Sequence, residues 1–196
     1  AMADQPARDF GKHVIPYCHE KGAPLYAYEF TGYWKDVGTL SSYWEANMEL
    51  IDIVPEFNLY EEYWKIYTKS DRIPPQYISA DAKITKCIIG EGSEIYGEVT
   101  NSVIGSGVTI EKGAVVKDSI IMQDSVIGEG AVVEKAIVAE DVKVGAGAHL
   151  GVGEYAPSKY DQKVYQFDLV TIGEHSVIPE NVKLSLIHIS EPTRLD

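Results

Sequence analysis

The chain has 196 residues, enough to bury a core in one or two domains, and its 30 acidic side chains against 17 basic ones give a formal charge of −13. That field repels anionic polymers and no basic stripe interrupts it, which excludes nucleic acid as an expected partner. Two cysteines with no CxxC pair exclude a disulfide framework, and no stretch nears the roughly 20 apolar residues that cross a bilayer, so a cytoplasmic protein without a membrane partner is expected.

Residues 1–8 read as a tag or disordered start, with Ala1-Met2-Ala3 like a cloning scar and no signal-peptide pattern, and ordered patterning begins near Asp9. Asp9 is placed to cap a short helix over 12–21, interrupted or restarted at Pro16 and stopped by Gly22. Residues 25–30 predict a strand with Tyr26, Tyr28 and Phe30 on one face, broken at Gly32 before a second extended piece, 33–35. Thr39 then caps a helix whose apolar positions Leu40, Tyr43, Trp44, Met48 and Ile51 follow helical spacing. Helical density is expected to about Tyr67, with Met48 and the tryptophans in the core. Asp71-Arg-Ile-Pro74-Pro75 reads as a linker. Residues 9–71 thus form one unit, aromatic-rich and without a short repeat. Its one or two strands and two or three helices are too few for a complete α/β enzyme, so it reads as the last part of a larger domain.

From 72 to 184 the pattern changes. Aliphatic residues recur every five or six positions at Ile78, Ile84, Ile89, Ile95, Ile104, Ile110, Val116, Ile121, Ile127, Val133, Val138, Val144 and Leu150. Ser102-Val103-Ile104, Ser119-Ile120-Ile121 and Ala136-Ile137-Val138 set a coil of 17 residues. This is the hexapeptide signature of a parallel β-helix, in which one coil buries a single face and stacking completes the core. Cys87 fits as a small buried hydrophobe rather than a reactive thiol. Gly145-Ala-Gly147 and Gly151-Val-Gly153 fit coil corners. Ile172, Ile178 and Leu184 keep the spacing after an aromatic insertion at 153–170, but 185–196 abandons the corners and reads as a non-native tail.

Chemistry has one good candidate. Asp36, in Tyr33-Trp34-Lys35-Asp36-Val37-Gly38-Thr39, follows an extended piece and precedes a helix, where a carboxylate reaches a ligand and Gly38 lets the backbone approach closely. Mg²⁺ takes one or two protein carboxylates plus phosphate oxygens and water, so Asp36 suits half of a nucleotide–metal site. On spacing alone, an Asp before Gly and Thr is more often a turn or capping residue. No GxxxxGK or GxGxxG loop and no recognisable Ser, His and Asp set is present.

The blocks Asp9-Phe-Gly-Lys-His-Val-Ile-Pro16, Tyr33-Trp-Lys-Asp-Val-Gly-Thr-Leu40 and Ser42-Tyr-Trp-Glu-Ala-Asn-Met-Glu-Leu50, followed by the hexads, resemble the bacterial glucose-1-phosphate adenylyltransferase (ADP-glucose pyrophosphorylase) family, catalytic type. The likeness runs from Asp9 to Leu184; WxDxGT is shared with other sugar nucleotidyltransferases. It implies a mainly β chain: a left-handed parallel β-helix preceded by the α/β C-terminal remnant of a Rossmann-like nucleotidyltransferase domain. It further implies ADP-glucose and pyrophosphate made from ATP and glucose 1-phosphate in glycogen biosynthesis, with Mg²⁺, metabolite regulation and a homotetramer. Asp36 then corresponds to one of the two metal-holding, catalytic aspartates, with Trp34 and Lys35 as site-wall residues. A core tryptophan and a solvated lysine are the plainer readings of those two. The family's ATP loop, second metal aspartate and sugar-phosphate lysines and arginines belong before Asp9, so the chain alone is expected to be inactive.

Two other classes fit the coils. A hexapeptide acyltransferase would use His149 or His175 as general base and the 153–170 insertion as its protruding loop. A non-catalytic subunit would use the coils only for assembly. Among the sugar nucleotidyltransferases, mannose or another nucleotide also fits, because the base-reading residues are not in this chain.

Overall fold

The computed structural model describes residues 9–67, 73–152 and 169–184 and the backbone of 189–190. The chain divides into two compact units, Ala1–Trp34 and Lys35–Asp196.

In the first unit the Asp9 carboxylate accepts from the Lys12 N–H at 2.6 Å, starting a π-helical turn, Phe10–Val14, that passes into helix α1, Ile15–Glu20. Pro16 lies at the start of α1, and its missing N–H falls where the π-helical turn changes to α-helix. The expected interruption is therefore a change of winding. Gly22 stops the helix with φ +66°. The strand expected over 25–30 does not form. These residues join no ladder among the described residues, and Tyr26 is 92% exposed. Alternating aromatics satisfy the one-strand pattern, but a strand also needs a hydrogen-bonding neighbour. The extended piece 33–35 likewise joins no ladder.

The second unit opens with a loop and helix α2, Leu40–Glu49. Helical density does not continue to Tyr67: residues 50–67 run through turns and bends. Ile53 and Val54 are β-branched and precede Pro55, which pushes residue 54 out of the helical region. Trp64, expected in the core, is 82% exposed. Of the expected linker, 71 and 72 lie outside the described residues.

The remainder is a parallel β-helix. One face stacks six strands in parallel, from Tyr77–Ile78 through Glu94–Ile95, Thr109–Ile110, Val126–Ile127 and Lys143–Val144 to Val177–Ile178. The other two faces share a ten-stranded sheet because Lys83–Ile89 and Glu98–Ile104 run around the corner between them. Register follows the repeat: Ile104 pairs with Ile121, and Ile121 with Val138. Val138 then pairs with Ile172, a double step that leaves room for the insertion, whose residues 153–168 lie outside the described ones. The inner column contains Ile95, Ile110, Val116, Ile127, Val133 and Leu150, all fully buried.

The expected column skips from Ile95 to Ile104. Val99, also fully buried, fills that place after a corner only four residues long. Gly97 makes the corner possible, since a Cβ there would lie 2.4 Å from the Ala114 carbonyl oxygen. Corner residues take left-handed backbone in rows: Lys86, Asn101, Asp118 and Lys135 along one edge, Asp124, Asp141 and His175 along another. Gly147 and Gly151 also have positive φ, as expected of corners; Gly153 lies outside the described residues. Buried serines tie coils together, with Ser102 Oγ accepting from Ser119 N–H at 3.2 Å and Ser119 Oγ from Ala136 N–H at 3.1 Å. Cys87 packs against the column with its thiol donating to Thr85 and Val99 carbonyls, and burial pushes its pKa up, as a structural cysteine should behave. The backbone of Ile189–Ser190 adds to one sheet beside 171–172, while 185–188 and 191–196 lie outside the described residues.

Candidate functional site

The tripeptides that set the repeat carry a second signal. Their central residues point outward, yet Ile120 and Ile137 are buried, and with Leu169 they form a small core against Tyr43, Trp44 and Met48 of α2. An aliphatic stripe at positions 103, 120 and 137 on a coil surface thus receives the apolar face of the helix. Trp44 adds a directional bond: its indole Nε1–H donates to the Asp118 carbonyl at 2.8 Å. Asn101 Nδ2 donates to the Asp118 carboxylate at 2.6 Å, and Lys86 pairs with Asp52 at 2.9 Å just beyond the helix.

At the N-terminus of α2, Thr39 and Ser42 form a reciprocal capping box. Thr39 Oγ1 accepts from Ser42 N–H at 3.1 Å and Ser42 Oγ accepts from Thr39 N–H at 3.0 Å. The helix has no basic residue in its last turn and ends on Glu49, an unfavourable charge at the negative end of the helix dipole. Lys35 supplies the cation, with Nζ bonded to Glu49 and 3.6 Å from Glu45. Its side chain is only 22% exposed, so the solvated lysine of the plainer reading is corrected.

Asp36 is exposed between these two anchors. Among the described residues its carboxylate has no internal ion-pair or hydrogen-bond partner, so its oxygens face water or a ligand. It lies over Gly38, where an added methyl would stand 3.5 Å from Asp36 Oδ1, ordinary contact distance. Gly38 is therefore permissive here rather than sterically required. The described residues contain no group of three or more His, Cys, Asp or Glu side chains able to hold a metal ion. One hard, anionic oxygen donor fits Mg²⁺ only as part of a shared site in which phosphate and water complete the shell. Trp34 closes the first unit and is 77% exposed, which corrects the core-tryptophan reading; among the tryptophans, Trp44 alone is packed into a described core.

The histidines of the acyltransferase alternative sit on the coils. His149 is half-buried on a strand, and His175 Nδ1 lies 3.0 Å from Asp141 Oδ2 at a corner. An open cleft of about 350 Å³ lined by Asp81, Lys83, Tyr96, Glu98 and Lys112 also lies on the coils and includes none of 34–39. No helix among the described residues is long and apolar enough to cross a membrane.

Sequence reasoning found Asp36, Thr39 and the helix, but missed three supports. Ser42 at the third helical position signalled the reciprocal cap. Glu45 and Glu49, one helical turn apart, signalled a shared cation. The outward aliphatics at 103, 120 and 137 signalled a covered face.

Comparison with known proteins agrees with this layout. Residues 74–172 match the family described as GlmU-like, C-terminal hexapeptide, and residues 2–53 match the nucleotidyl transferase family. The chain is 68% identical over 183 residues to the glucose-1-phosphate adenylyltransferase of Lachnospira eligens, covering 93% of this chain and 43% of that protein. It is 58% identical to the same-named protein of Thermotoga neapolitana (90% and 42% covered) and 53% identical to that of Thermosipho africanus (94% and 44%). The chain thus spans less than half the length of these curated relatives.

Proposed function

We propose, starting from a chain that belongs to the GlmU-like hexapeptide family and aligns along nine-tenths of its length with glucose-1-phosphate adenylyltransferases, that it is part of an enzyme making ADP-glucose and pyrophosphate. The substrates are ATP and glucose 1-phosphate, the setting is glycogen biosynthesis in the cytoplasm, and the assembly is a homotetramer. A phosphate oxygen of the sugar attacks the α-phosphorus of ATP; the new P–O bond forms as the bond to pyrophosphate breaks. Positioning and charge neutralisation supply most of the catalysis in such transfers.

The observation that carries the reading is the Asp36 carboxylate, exposed and without a partner among the described residues, on a loop fixed on both sides. Mg²⁺, when bound, neutralises the triphosphate and orients it for attack. Asp36 holds one side of that ion. Thr39 and Ser42 fix the loop where it enters α2, and Lys35 ties its other end along the helix. Lys35 borders the site through this tether. With no glycine-rich phosphate loop in its sequence, the chain alone is inactive. The test is pyrophosphate release from ATP and glucose 1-phosphate with Mg²⁺, comparing this chain with a chimera carrying the N-terminal part of the Lachnospira eligens relative. Turnover by the chimera and none by the chain is expected; a folded chimera that is silent contradicts the assignment.

A further inference from the structure

At the corner where α2 docks, a coil-to-coil backbone bond is replaced, as it is one coil earlier, where Ser119 N–H turns to Ser102 Oγ. One coil on, Lys135 N–H donates to the Lys117 carbonyl at 3.1 Å, continuing the ladder. The next donor, Ala136 N–H, turns to Ser119 Oγ instead. The Asp118 carbonyl, on a left-handed residue with φ +49°, receives the Trp44 indole. A half-buried carbonyl left without a donor would be costly, so this bond selects one seating of α2 on the coils. Apolar packing on Ile120 and Ile137 holds the helix but, being non-directional, does not fix its position along the stripe. From Trp44 the constraint runs one helical turn back to the Thr39–Ser42 cap and forward to Glu45 and Glu49, which hold Lys35. Both neighbours that restrain Asp36 are thus referenced to the β-helix.

We propose that Trp44 is a positioning residue: its bond to the Asp118 carbonyl sets α2 on the coils and, through Thr39 and Lys35, holds the Asp36 carboxylate where the reaction needs it. This deepens, and rests on, the reading of Asp36 as a metal-holding carboxylate. The coils then act on the chemistry directly, beyond any role in assembly.

The test uses Trp44→Phe, which keeps the ring packing and removes the donor, and Lys35→Gln, which loosens the second restraint by removing the cation between Glu45 and Glu49. In this chain, hydrogen–deuterium exchange is read at 35–43 and at the coil strands. In the active chimera, the Mg²⁺ concentration giving half-maximal rate is read beside kcat. Trp44→Phe is expected to speed exchange at 35–43 several-fold with the strands at 126–138 unchanged, and to raise the Mg²⁺ requirement roughly tenfold, as a small misplacement of a catalytic group does. Lys35→Gln should shift both readouts the same way. Should Trp44→Phe unfold the chain, Lys35→Gln decides through the same two measurements. Wild-type exchange and Mg²⁺ dependence in the folded variants overturn the proposal while Asp36→Asn still abolishes turnover. If Asp36→Asn keeps full turnover, the metal reading of Asp36 fails first and takes this inference with it.

Discussion

A carboxylate between restrained neighbours meets a cation at lower entropic cost than one on a free loop, because the ordering has been done on folding. Asp36 has that setting, and among the described residues no side chain or backbone group engages its carboxylate. Its proposed role as a ligand was legible from the sequence only through the resemblance; spacing alone favoured a turn or capping residue, and residues 33–38 form neither a turn nor a bend. Trp34 was not legible, because an aromatic is read as core by default and nothing local tells which surface covers it. His175 offers a different residue-scale test. Its hydrogen bond to Asp141 raises its pKa above the ordinary 6.5, with smaller Coulombic help from Asp141, Glu174 and Glu140 against a small desolvation effect. A raised value means stabilisation that is complete below about pH 6.5 and is lost as pH climbs through the shifted value. The thermal midpoint of this chain should therefore fall slightly between pH 6 and pH 8, the exposed setting keeping the effect small. His175→Gln should remove that slope, and an unchanged slope would assign it to other groups.

At the scale of elements, the helix caps and the coils were the legible parts, for the same reason: both rest on short-range geometry that a few residues specify. Asp9 and Thr39 cap where their side chains allow, and a period of 17 fixes register because a slip would move every inward aliphatic outward. The strand at 25–30 and the helix beyond residue 50 failed because each needs something periodicity does not report, a ladder neighbour in one case and a compatible Pro55 in the other. Two substitutions weigh these elements. Thr39→Ala should lower stability to urea by about 1 kcal/mol through the lost cap and should also loosen the Asp36 loop. Gly97→Ala should cost more, about 2–3 kcal/mol, because its Cβ meets backbone rather than a movable side chain. Equal stability of Gly97→Ala and wild type would mean that the four-residue corner relaxes freely.

On the scale of the whole molecule, the coils explain stability and bound function without naming it. Among the described residues sixteen strands stack in parallel, two of them running around a corner between faces, and most of the buried aliphatic residues lie in that column. The second core beneath α2 makes the column a platform for the loop that carries Asp36. The proposed homotetramer predicts self-association of this chain, so sedimentation should show a single species four times the 21.7 kDa chain mass. Only monomer across the micromolar range would count against that assembly. Neither the nucleotide nor the sugar was legible here, because the groups expected to read them lie outside the sequence in hand.

The most direct measurement is the Mg²⁺-dependent rate of pyrophosphate release from ATP and glucose 1-phosphate by the chimera, with Asp36 and with Asp36→Asn, each checked for an unchanged melting curve. The account predicts turnover in the first and a loss of about 100-fold or more in the second, the scale of removing a group that stabilises transition-state charge. Full turnover by Asp36→Asn would contradict it.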